Sequence, residues 1–139
     1  MALDAEALRS SLELVTAKEP LITKRFYEIL FARYPQVRPL FSRNAPERQQ
    51  KMLQESIVAV LDHLDDATWL TDTLGAMGAK HIEYGVTEEM YPWVGESLLA
   101  TLAELAGDAW SPRVEKAWTD AIGAIAGLMI AGAKRASAA

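Results

Sequence analysis

The 139 residues make one domain, taken to span 1–139, and 14 basic against 19 acidic side chains leave a formal charge of −5. Half the residues are apolar, which excludes a disordered chain. The absence of cysteine excludes disulfides, thiolate zinc, iron–sulfur clusters and a thiol nucleophile.

The acidic balance argues against nucleic acid as a partner, although the charge is unevenly spread. Nine basic and six acidic residues fall before Met52, and five against thirteen follow. Arg33, Arg38, Arg43, Arg48 and Lys51 read mostly as a solvated face, a minority of them free to meet a small anion. The acidic start Met1–Glu6 lacks a basic-then-apolar leader, and the apolar stretch Ala121–Ala133 is shorter than the roughly 20 residues of a bilayer span. No membrane partner is expected, and the location expected is cytoplasmic.

Helical periodicity runs throughout, and six prolines punctuate it. Asp4 suits the cap of a first helix reaching about Ala17, and Pro20 suits the first turn of a second. The second is apolar nearly all round at Phe26, Ile29, Leu30 and Phe31, and the Tyr34–Pro35 step ends it. Pro35–Phe41 reads as a short helical turn and Ser42–Ala45 as a loop. Pro46 opens a helix carrying Leu53, Ile57, Val60, Leu61 and Leu64. Asp65–Asp66 start a segment with Leu70, Leu74, Met77, His81 and Tyr84, stopped by Gly85. Thr87 suits the cap of the next helix, with Pro92 just inside, and Ser111–Pro112 open the last. Gly123 and Gly127 predict the place where a neighbouring helix comes close to it. The result is six or seven helices in an all-α domain.

His81, on an apolar stripe between Met77 and Tyr84, is either a satisfied core residue or a metal ligand. Gln49 begins the stripe continued by Leu53, Ile57, Val60 and Leu64; it caps that stripe at the surface or aims a donor into a pocket, and its period alone favours the surface. Tyr27 reads as a buried tyrosine whose hydroxyl reaches a carbonyl. His63, beside Asp62 and Asp65, has no second histidine at ligand spacing and reads as a solvated surface residue. No His-Glu-x-x-His, phosphate-cradling glycine loop or Gly-x-Ser-x-Gly elbow occurs.

The segment Phe26–Phe41 resembles the second and third helices of bacterial haemoglobins. Lys80–Val86, followed by Tyr91–Leu99, is similar to their proximal region, and Ala117–Trp118 fits their last helix. The resemblance covers essentially the whole chain and is nearest to single-domain haemoglobins similar to the globin half of flavohaemoglobins. It implies a three-on-three globin sandwich around haem b, with His81 as the iron ligand. Phe41 would wedge against the porphyrin, with Leu53, Tyr91 and Val94 also lining the cofactor. Tyr27, Gln49 and Leu53 would line the gas side, and Tyr91 would hydrogen-bond near the proximal imidazole. One departure stands out: the position of a proximal glutamate in flavohaemoglobins holds Ala133, which leaves Tyr91 as the expected partner from that network; a backbone carbonyl near Met77 is the acceptor to consider only if His81 proves polarised as in a peroxidase.

The function implied is reversible binding of dioxygen, with carbon monoxide and nitric oxide as further ligands, in a monomer or weak homodimer. The alternatives are a nitric oxide dioxygenase, expected to be served by a separate reductase, and a gas-sensing or structural helical domain.

Overall fold

The structure, a computed structural model, describes residues 3–42 and 44–138. Arg43 of the basic face and the first two residues of the Met1–Glu6 reading therefore lie outside the described residues, as does Ala139. Helices follow one another as α1 (Ala5–Lys18), α2 (Ile22–Arg33), a 3₁₀ helix (Pro35–Phe41), α3 (Pro46–Asp62), α4 (Ala67–Glu83), α5 (Met90–Ala106), a 3₁₀ turn (Gly107–Ala109) and α6 (Pro112–Ala138). No strand occurs among the described residues.

Most helix starts use the expected chemistry. The Asp4 carboxylate accepts from the Ala7 amide at 3.2 Å, Asp66 from Trp69 at 3.0 Å, and the Ser111 hydroxyl from Val114 at 3.2 Å. Two starts differ. α2 begins at Ile22 because the Pro20 carbonyl accepts from Gln54 Nε2 of α3 at 3.0 Å and does not enter the helix. α5 begins at Met90, after a turn in which the Thr87 carbonyl accepts from the Met90 amide; no side chain caps it. That start puts Pro92 among the first residues, whose amides have no intrahelical acceptor, so its missing N–H costs nothing.

α1, α3 and α4 form one layer over α2, α5 and α6: α1 packs on α5 and α6, α3 on α2, and α4 along α6. One core cluster joins Leu8, Leu12 and Val15 of α1 to Leu102 of α5 and Trp118 of α6. A second is built on Phe26, Tyr27, Leu30 and Val37, and a third on Val60, Leu74 and Met129. The Arg113 guanidinium lies 2.8 Å from Asp4 and ties the start of α6 to that of α1.

The close helix approach is real but uses other glycines. A Cβ on Gly78 would overlap the Met129 carbonyl, and one on Gly132 would overlap the backbone of Gly75. Gly123 and Gly127 meet open space. They lie nine and five residues before Gly132, which at about 100° per residue turns them to the far side of α6. The expectation for that pair is thus corrected: α4 and α6 do cross closely, on the opposite face. No described helix is long and apolar enough to cross a membrane.

Candidate functional site

The side chains that the resemblance assigns to the site fall in two groups, one on α2, the 3₁₀ helix and α3 and one on α4, α5 and α6. The first is fixed by a buried clip. Thr23, fully buried on α2, donates from Oγ1 to the Gln50 carbonyl of α3 at 2.6 Å. That contact sets the first turns of α3 against α2, and the adjacent Gln49 donates from Nε2 to the Tyr27 hydroxyl at 3.1 Å. Asn44, in the loop before α3, donates from Nδ2 to Gln49 Oε1 at 3.2 Å.

Aromatic rings hold Tyr27 in place. Its ring centroid lies 4.9 Å from Phe26, 5.2 Å from Phe41 and 5.6 Å from Phe31. Leu53 and Trp93 pack against the same cluster. Burial pushes the Tyr27 pKa up, while the hydrogen bond from Gln49 acts more weakly in the other direction. The phenol therefore keeps its proton, and with its oxygen accepting from Gln49 the O–H is left to donate elsewhere. Gln49 is half-buried and bonded to Tyr27, so the surface position its period favoured is corrected: the Thr23 clip turns its face inward. Tyr27 is buried as expected, but its partner is an amide nitrogen and not a carbonyl.

The second group centres on His81 in the last turn of α4. Its Nδ1 faces the Met77 carbonyl at 2.6 Å. A carbonyl only accepts, so Nδ1 is the donor of this contact, and in the neutral form of the ring the lone pair lies at Nε2. Tyr91, in the first turn of α5, packs with the cluster of Val60, Leu74 and Met129. Burial pushes its pKa up, and the Glu88 carboxylate adds to that. Among the described residues Tyr91 makes no hydrogen bond to His81. Tyr91 and Ala133 instead line one hollow of about 430 Å³ with Ile82 and Val86. Lys134 reaches Glu88 at 3.3 Å beside it. Val94 lies on α5 and is 36% exposed; its neighbour Trp93 stacks on Tyr34 at 4.9 Å.

His63 is not a solvated side chain. Its ring stacks on Trp69 at 3.8 Å and 8°, and Nδ1 meets the Ala59 carbonyl at 2.7 Å. The tight α3–α4 turn brings Trp69 back over it. Of the basic face, Arg33, Arg48 and Lys51 are exposed, while Arg38 lies 4.7 Å over the Phe31 ring. Thr23, Asn44 and Trp93 are parts of the site that the sequence reading missed, Asn44 because it stood in a segment marked only as a loop.

The globin family profile matches residues 24–129. The chain belongs to the globin family. Among curated relatives it is 35% identical over 119 residues to the flavohemoprotein of Rhodopirellula baltica and 34% over 116 residues to that of Vibrio cholerae. These alignments take in 84% and 82% of the chain but only 29% of each relative, so it spans about three tenths of their length. Among solved structures, a bacterial globin from Campylobacter jejuni superposes with a TM-score of 0.81 at 25% identity, covering 97% of both chains. The flavohemoglobin of Malassezia yamatoensis, with bound FAD and haem, gives 0.78 at 25% identity over 96% of this chain and 36% of that one. The fold is thus the three-on-three globin sandwich, and the likeness is to single-domain bacterial globins and to the globin part of flavohemoproteins.

The cofactor of the family is haem b, and its ligands are diatomic gases. The donor set fits that group. Among the described residues no three potential ligand side chains come together to hold a bare ion. A lone imidazole whose other nitrogen is anchored to a backbone carbonyl suits a metal that arrives with four ligands of its own.

Proposed function

We propose that this globin binds dioxygen reversibly, with His81 as the iron ligand and Tyr27 and Gln49 on the gas side. The observation that carries the reading is the bond from Gln49 Nε2 to the Tyr27 hydroxyl, which leaves the phenol proton free to donate. Haem b, when bound, supplies the ferrous iron at which a diatomic gas is held. The chain supplies everything else. Met77 orients the His81 ring, Phe41 and Leu53 pack around Tyr27, Val94 and Tyr91 would add apolar wall from α5, and Tyr27 would donate to the partial negative charge that a bound dioxygen carries. Carbon monoxide carries less of that charge, and nitric oxide is a further ligand. The reading extends to one globin domain over 1–139, to a monomer or weak homodimer, and to the cytoplasm.

A hydrogen bond to a charged acceptor is worth roughly 1.5–3 kcal/mol, and each 1.4 kcal/mol or so is a factor of ten. Tyr27→Phe is therefore expected to raise the dioxygen off-rate about 10- to 100-fold while barely moving that of carbon monoxide. Equal changes for both gases would mean that Tyr27 acts by shape alone. A second reading rests on the flavohemoprotein relatives: nitric oxide dioxygenation with electrons from a reductase. Nitrate formed from nitric oxide and dioxygen, with a supplied flavin reductase and nicotinamide, tests it; nitric oxide left unconsumed would sink it.

A further inference from the structure

The contacts around Tyr27 form a chain with a direction. Asn44 Nδ2 donates to Gln49 Oε1 at 3.2 Å, and Gln49 Nε2 donates to the Tyr27 hydroxyl at 3.1 Å. From the loop inward, each link is donated toward Tyr27, so the phenol oxygen is an acceptor and its proton is spare. The same three side chains admit the reverse order. If both amides turned over, Asn44 would accept from Gln49, Gln49 would accept from Tyr27, and the phenol proton would be consumed within the chain.

Nothing at Gln49 itself decides between the two. Its backbone is held, since its amide donates to the Ala45 carbonyl at 3.0 Å and the adjacent Gln50 carbonyl takes the buried Thr23 hydroxyl at 2.6 Å. Its side-chain amide is symmetric in shape and presents a donor at one end and an acceptor at the other. Whichever end Asn44 engages, Tyr27 receives the opposite one. We propose that Asn44 is the positioning residue of the gas side: by donating to Gln49 Oε1 it points Gln49 Nε2 at Tyr27 and keeps the phenol proton available to a bound gas. This rests on the reading of Tyr27 as the gas-side donor, and the experiment separates the two.

Asn44→Asp keeps the shape but can only accept. Gln49 must then turn its Nε2 outward to the carboxylate, present Oε1 to Tyr27 and draw in the phenol proton. The haem-loaded full chain is compared as wild type, Asn44→Asp, Tyr27→Phe and the double variant. Dioxygen off-rates and the infrared C–O stretch of the carbon monoxide form, a spectroscopic gauge of donors near the ligand, are both read. Asn44→Asp is expected to raise the off-rate about tenfold and to shift the C–O stretch in the same direction as Tyr27→Phe. Added to Tyr27→Phe it should change neither, since the proton it redirects is gone. A wild-type off-rate and stretch in Asn44→Asp, with Tyr27→Phe strongly changed, would overturn the role of Asn44 alone. An Asn44→Asp effect that persists undiminished when Tyr27→Phe is also present would overturn it too, because the new negative charge would then act directly. A silent Tyr27→Phe would instead remove the reading beneath it.

Discussion

At the scale of single residues, the protonation of Tyr27 sets what it can donate. Tyr27 is buried and its pKa is pushed above the usual tyrosine value, so its neutral form is favoured by the fold. The proton is fully present below the ordinary value of about 10 and is lost only as pH rises through the still higher folded value. Dioxygen release is therefore expected to be flat from about pH 6 to 9 in the wild type, as stopped-flow measurements would reveal; a step within that range would place the controlling proton elsewhere. His81→Ala should cost most of the haem, with imidazole added to the medium partly restoring it. His63→Ala should leave the Soret band unchanged, because that ring is occupied with Trp69 and the Ala59 carbonyl. The helical period put His81 and Tyr27 on apolar faces, but the site roles of both, and that of Phe41, came only from the family resemblance. Gln49 too came from the resemblance, while its period pointed outward and Asn44 was not singled out: the inward turn of Gln49 depends on Thr23, whose hydrogen bond to Gln50 spans 27 residues. No local period carries such a contact.

Helix by helix, the packing of α4 on α6 gives the sharpest contrast. Gly78 and Gly132 face backbone at a distance that no Cβ tolerates, whereas Gly123 and Gly127 face open space. Gly78→Ala must push the helices apart, and overpacking of this kind costs roughly 1–3 kcal/mol or more. Gly127→Ala meets nothing and replaces the poorest ordinary helix former with the best, a gain of about 0.5–1 kcal/mol. Thermal unfolding should thus show a lowered Tm for the first variant and a raised one for the second; the reverse order would mean that α6 is rotated about its axis. The helix boundaries themselves were readable wherever an Asp or Ser side chain caps, as at Asp4, Asp66 and Ser111. They were misread at Pro20 and Thr87, where a tertiary contact or a preceding turn takes the carbonyl that the pattern assigned to the helix. The two-glycine spacing on α6 showed that small residues are present, but not which face of the helix meets α4.

Across the whole molecule, α4, α5 and α6 converge on the hollow between Tyr91 and Ala133, and on the proposed reading this convergence bears on how strongly His81 would donate to iron. An imidazole bonded to a carboxylate is a better donor than one bonded to a neutral carbonyl. Here the Nδ1 partner is the Met77 carbonyl, and Ala133 brings no carboxylate into the hollow. The nearby Glu88 is already engaged by Lys134 at 3.3 Å. The ferrous iron–histidine stretch, read by resonance Raman, should therefore fall near that of oxygen-storage globins, and peroxide should be cleaved slowly. Ala133→Glu places a carboxylate in a hollow of about 430 Å³ whose wall already includes Tyr91. If Tyr91 relays that charge to the imidazole, the stretch rises in Ala133→Glu and the rise disappears when Tyr91→Phe is added. A rise that survives Tyr91→Phe would mean that the carboxylate polarises His81 without the phenol. A wild-type stretch already in the peroxidase range would mean that the 2.6 Å contact to Met77 polarises the ring by itself, and the case for dioxygen binding over redox catalysis would weaken accordingly.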